Sequence, residues 1–140
     1  MKNWMIAILL MTALSNAQEW NADLSGALTE AAKRDKNVLL YFSAAEACDI
    51  CIQLEQTVFS SAVFKEYARA NYILAKPEFD ETIPIQEKAD NLLIVEKYNK
   101  DGFFPLVVIL DPSGKVLGKT GVYNGESPDE YLRILKGFDR

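Results

Sequence analysis

Cys48 and Cys51, in Ala47-Cys48-Asp49-Ile50-Cys51, are the only two cysteines of the 140-residue chain. Two thiols three positions apart at a helix start come within disulfide reach. The free N–H groups and positive end of the helix stabilise a thiolate on the first of them. Such a pair is a redox couple, provided the helix exists. Two other readings share the spacing: a passive structural disulfide, and a two-thiolate metal site completed by Glu46, Asp49 or a second subunit. The chain has no histidine, which removes Cys-His proteolysis, Ser-His-Asp hydrolysis and histidine-bearing zinc sites. No phosphate-binding glycine pattern is present either, since Gly114, Gly118, Gly121 and Gly125 fall in or after a turn-rich hairpin.

The neighbouring elements must supply the helix. Val38-Leu39-Leu40-Tyr41-Phe42 is a continuous apolar run, as expected of a strand covered on both faces. Ser43 to Ala47 then forms a strand-to-helix loop, and Cys51, Leu54 and Val58 at i, i+3 and i+7 predict a helix with Cys48 at its N-terminus. Ahead of the strand, Leu24, Leu28 and Ala31 predict an amphipathic helix between Trp20 and Lys36, capped by Asp23 or Ser25. Beyond the cysteines, Ser60-Ser61 re-caps a helical piece from Val63 to Ala68, Tyr72 to Lys76 reads as a strand, and residues 86–98 regain a helical pattern that stops at Lys100-Asp101-Gly102. Leu106 to Leu110, the turn Asp111-Pro112-Ser113-Gly114 and Lys115 to Thr120 make a β-hairpin. Ser127-Pro128-Asp129-Glu130 is a capping box that opens a last helix to about Lys136. This order predicts an α/β domain with a mixed sheet and helices on both faces. Ligands of such sheets gather at the carboxyl ends of parallel strands, and Cys48 follows one of them.

Residues 1–17 read as a signal peptide: Lys2, an apolar run from Trp4 to Leu14, then Ser15-Asn16-Ala17 as a cleavage pattern. The run is shorter than the roughly 17–25 apolar residues that cross a bilayer, so no membrane insertion is expected after cleavage following Ala17. The remaining 18–140 form one domain, periplasmic or secreted, whose thiols work in an oxidising compartment. The whole chain carries 15 basic and 20 acidic side chains. Loss of Lys2 leaves 14 against 20, a net charge of −6. That balance, with no Lys/Arg-rich block, excludes nucleic acid as a partner. A chain of this size buries a core without needing a disulfide staple.

The order of elements, with a CxxC directly after the first core strand and Phe103-Phe104-Pro105-Leu106 opening the hairpin, resembles the thioredoxin superfamily, in its secreted or periplasmic branch. The likeness covers nearly the whole mature chain. It implies the thioredoxin fold, a four-stranded mixed sheet of order 2-1-3-4 counted from the first core strand, and a thiol–disulfide oxidoreductase that reduces or isomerises protein disulfides. By that resemblance Cys48 is the nucleophile and Cys51 the resolving thiol. The helix end points to the same order, because Cys51 lies one turn in, on the side of Leu54. A first-thiol pKa lowered from about 8.5 to about 7 raises the thiolate fraction at pH 7 from roughly 3% to about half. Pro105 corresponds to the family's cis-proline, and the backbone of Phe104 to the edge that pairs with substrate. Phe104 also fits a plain core position.

The chain departs from thioredoxin at several points. Ala47 stands where a tryptophan is usual, and Asp49-Ile50 replaces Gly-Pro. Tyr41 takes the place of the buried carboxylate that accepts the resolving thiol's proton. Lys76 matches that carboxylate's lysine neighbour, lying either beneath the site without an acidic partner or exposed at a strand end. Glu46 or water is then the available acceptor. Asp49 repels a Cys48 thiolate, which places the expected potential in the reducing half of the family range. No cofactor beyond the redox-active disulfide is expected. Electrons must come from an upstream redox protein, such as a membrane thiol carrier. The alternative is a non-catalytic thioredoxin-fold binding module with a structural disulfide.

Overall fold

Strand β2 (Asn37–Phe42) is the centre of the sheet. In this computed structural model, which describes residues 18–139, five of its six residues are buried. Successive side chains of a strand point to opposite faces, so the unbroken apolar run feeds two cores. Val38, Leu40 and Phe42 pack with Val108 and Leu110 of β4 (Leu106–Leu110) against Leu24, Ala27 and Ala31 of α1 (Leu24–Arg34) and Tyr98 of α4 (Ile85–Tyr98). Leu39 and Tyr41 pack on the other face with Val107 and Ile109. There they meet Leu54 of α2 (Asp49–Leu54), Phe64 of α3 (Ala62–Asn71) and Leu135 of α5 (Pro128–Lys136).

β2 pairs in parallel with β3 (Tyr72–Ala75) and antiparallel with β4, which pairs antiparallel with β5 (Val116–Lys119). The expected thioredoxin fold is borne out, with one addition. Among the described residues the sheet has five strands rather than four, because Trp20–Asn21 forms β1, parallel to β3, at the edge. Its two residues are too few to show any periodicity. The Asn21 side chain also donates to Leu74 O at 2.9 Å, tying the short strand to its neighbour.

The caps act as the side chains dictate. Asp23 accepts from the N–H groups of Ser25 and Gly26 and opens α1, Ser61 accepts from Phe64 N and opens α3, and Ser127 with Glu130 forms a complete capping box on α5. The helix that begins at Asp49 changes pitch at Glu55–Phe59, a π-helical turn, which puts both Val58 and Phe59 into the core. Such insertions occur frequently at functional sites. The expected signal peptide, residues 1–17, lies outside the described residues.

The chain end is tied back to the sheet. Phe138 covers Gly118, where its ring leaves no room for a Cβ, and Asp139 accepts from the hydroxyls of Tyr67 and Tyr72. Burial, then the Asp139 carboxylate, pushes the Tyr67 pKa up from 10.0 to about 12 and that of Tyr72 in the same direction. A tyrosine held neutral in this way favours the folded state fully below its unfolded pKa, and the contribution is lost as pH rises through the folded value. Stability is therefore expected to fall progressively between about pH 10 and about 12. Urea unfolding across that range checks this, and Tyr67→Phe should make the decline shallower.

Candidate functional site

The site is built where β2 ends. Phe42 is its last residue, and Ser43 to Ala47 carry the chain out of the sheet and into α2. The Ser43 hydroxyl accepts from Ala45 N at 3.0 Å, and Ala45 takes φ +52°, a left-handed conformation that costs an L-residue about 1–2 kcal/mol. This turn delivers Cys48 to the N-cap of α2. Its sulfur accepts from Cys51 N at 3.2 Å, and its carbonyl accepts from Ile52 N at 3.1 Å. Cys48 and Cys51 form a disulfide, with Cα atoms 5.2 Å apart. Cys51 is fully buried and Cys48 half-buried, so the pair has an outer and an inner sulfur.

Two loops flank it. Leu106 pairs with Phe42, which sets Phe104 and Pro105 across from Ser43 and Ala44, at the mouth of the cysteine loop. The Phe104–Pro105 peptide bond is cis, Pro105 is buried, and Phe104 is exposed. The loop's shape is held from below by Asn99, a buried amide that donates to Phe103 O at 2.8 Å and accepts from Phe103 N at 3.0 Å. On the other side of α2, a Cβ on Gly125 would lie 4.0 Å from the Gln53 amide, which brings the loop after β5 against the motif helix.

On the α2 face of the sheet lies a polar group in which Lys76 has a partner the sequence did not suggest. Tyr41 is fully buried on the α2 face, and its hydroxyl makes no hydrogen bond. Burial pushes its pKa well up. The Ser43 hydroxyl works against that rise, and the Glu55 carboxylate adds to it. Lys76 was expected either without an acidic partner or exposed at a strand end. It is instead partly buried, with its ammonium 5.6 Å from the centre of the Tyr41 ring and 3.4 Å from Glu55 Oε1. The acid comes from the helix, not the strand. Glu55 stands four residues after Cys51, on the same helical face, and its N–H donates to Cys51 O. Glu46, the acid first considered as proton acceptor, is exposed on the turn Ala45–Ala47. Asp49 and Ile50 are exposed at the start of α2, beside Cys48.

The expected site residues thus converge on one end of the sheet, joined by Glu55 and Asn99, which sequence reasoning missed. Spacing from Cys51 offered a signal for Glu55. Asn99 was hidden among the polar residues that stop α4. Among the described residues there is no group of three or more His, Cys, Asp or Glu side chains that could hold a metal ion.

The sequence profile of the thioredoxin-like family matches residues 19–112. The chain belongs to the thioredoxin-like family. Within it, disulfide bond reductase DsbH of Chlamydia pneumoniae is 27% identical over 99 residues, which cover 69% of this chain and 59% of that protein. The chain therefore spans less than two thirds of that relative's length. A DsbH oxidoreductase structure superposes with a TM-score of 0.75 at 23% identity, covering 86% of this chain and 83% of the other. A thioredoxin from Thermus thermophilus does so with a TM-score of 0.64 at 21% identity, covering 86% of each. Both structural likenesses speak for the fold.

Asn99 serves this thioredoxin-like site by position alone. Asn99→Ala leaves two backbone groups of Phe103 without their partner and is expected to cost about 1–3 kcal/mol of stability. Faster hydrogen exchange at the Phe103 amide, with α1 unaffected, checks that the loss is local.

Proposed function

We propose that this protein is an extracytoplasmic thiol–disulfide oxidoreductase that reduces protein disulfides, with Cys48 as nucleophile and Cys51 as resolving thiol. The observation that carries the reading is the Cys48–Cys51 disulfide at the head of α2, with one sulfur half-exposed and the other buried. In the reduced protein the Cys48 thiolate attacks a substrate disulfide, forming a mixed disulfide and releasing one substrate thiolate, which takes up a proton. Cys51 then loses its proton and attacks Cys48 Sγ, which releases the second substrate thiolate. Two electrons and two protons pass from the dithiol to the substrate, and the Cys48–Cys51 disulfide remains. Thiols of an upstream redox protein, such as a membrane thiol carrier, must reduce it again. The apolar run of residues 4–14 supports export, and the name of the Chlamydia relative supports the reductive direction.

Cys51 is buried, so its proton needs an acceptor inside the protein. Glu55 fits that role: it lies one helical turn further on, its N–H donates to Cys51 O, and Lys76 pairs with its carboxylate. Phe104 and Pro105 present the backbone edge on which an extended substrate segment is laid. A purely structural disulfide is the weaker reading, because two apolar cores already flank β2.

Reduction of insulin in the presence of dithiothreitol tests the activity. Cys48→Ser is expected to abolish it and Cys51→Ala to accumulate a mixed disulfide, with the wild-type pair equilibrating near about −270 mV rather than about −120 mV. A Cys48→Ser protein as active as wild type would sink the reading. Glu55→Gln is expected to slow resolution of the mixed disulfide at neutral pH by about tenfold or more, while leaving its formation largely intact. Rapid acid quenching of single-turnover reactions separates the two steps.

A further inference from the structure

The acidic excess of the chain is not spread evenly. β2 and β3 run in parallel, β4 begins and β5 ends at their carboxyl end, and four loops therefore emerge beside Cys48. Those loops and the start of α2 carry the exposed acids Glu46, Asp49, Glu78, Asp80, Glu81 and Asp101. Their cations are Lys100 and the Glu55-paired Lys76, and Lys88 in the first turn of α4 acts on Asp80. At the opposite end Lys33 and Arg34 close α1, Lys36 leads into β2, Arg69 closes α3 and Lys115 follows the hairpin turn, beside the acids Asp35, Asp111 and Asp139. The acid excess therefore lies at the end that carries the redox site.

The same end also exposes apolar side chains. Phe104, Ile50, Val122 and Phe103 are between 39% and 58% exposed, and they come from the cis-proline loop, the motif helix and the loop after β5. An apolar centre rimmed by charge of one sign matches a protein partner of the reverse pattern. We infer that the partner this site selects is a cationic protein segment, with Lys or Arg on either side of an apolar disulfide-bonded cysteine. The inference rests on the oxidoreductase reading and names its substrate class. Carboxylates around Cys48 steer such a segment in and turn an acidic one away, an effect worth about 10- to 1,000-fold in association rate at low salt. It must fade as the Debye length shrinks from about 30 Å at 0.01 M to about 8 Å at 0.15 M ionic strength.

Three peptides with one intramolecular disulfide separate the possibilities, flanked by two lysines, two glutamates or two serines. Reduced protein is mixed with each, and oxidation of Cys48 and Cys51 is followed by stopped flow. At low salt the lysine peptide is expected to react at least about tenfold faster than the glutamate peptide, with the serine peptide between them. The ratio should fall several-fold at physiological ionic strength. In the double variant Glu78→Lys with Glu81→Lys it should fall at least about threefold at low salt. Equal rates for the lysine and glutamate peptides, with brisk reduction of the serine peptide, overturn the charge selection and leave the oxidoreductase reading standing. Failure of the wild-type dithiol to reduce any of the three overturns that reading, and the inference with it.

Discussion

Burial of β2 on both faces is the constraint on which the rest of this structure depends. A strand with Leu39 and Tyr41 in one core and Val38, Leu40 and Phe42 in the other cannot slip by a residue without exchanging its entire set of contacts. Its end point is therefore fixed in space, and so is everything that hangs from it. The cysteine loop leaves at Ser43. Phe104 and Pro105 are set opposite by the pairing of Leu106 with Phe42. Lys76 emerges where β3 stops beside it. The site is accurate because a register is fixed, not because its loops are stiff.

Within that frame, a polar group links β2, β3 and the motif helix. A tyrosine on the strand cannot act as a carboxylate. A phenol is neutral through the physiological range in any case, and burial raises the Tyr41 pKa further. The negative charge is supplied instead by Glu55, from the helix above, and the Lys76 ammonium rests between that carboxylate and the Tyr41 ring. The ion pair is only partly buried, so it escapes the heavy desolvation cost of a fully enclosed pair. The π-helical turn that begins at Glu55 belongs to the same local arrangement, since it also sends Val58 and Phe59 into the core below.

The thiol–disulfide chemistry and the proposed partner preference are carried by different parts of the molecule. The disulfide belongs to the β2–α2 connection, with Glu55 on the helix beyond it and Lys76 after β3, whereas the exposed acids and the apolar side chains belong largely to the surrounding loops. Loops tolerate substitution better than buried strands, so the surface can be adapted to a partner while the redox couple keeps its geometry.

Composition and spacing alone decided the outline: two cysteines a helical turn apart, no histidine, a strand apolar on both faces ahead of them, and helices marked by their caps. Local rules write such features directly into the chain, through side-chain periodicity and through Asp23, Ser61 and Ser127 satisfying open N–H groups. They were read correctly because each depends on residues within a turn or two of one another. Pairings between distant residues were out of reach. A strand of two residues has no period to read, so Trp20–Asn21 became visible only once β3 lay beside it. Glu55 looked like any solvated helix acid until Lys76, 21 residues away, came within 3.4 Å of it. Asn99 looked like a helix stop until its amide closed on both backbone groups of Phe103. The acid excess at the redox end likewise follows from strand direction, which only the folded sheet assigns.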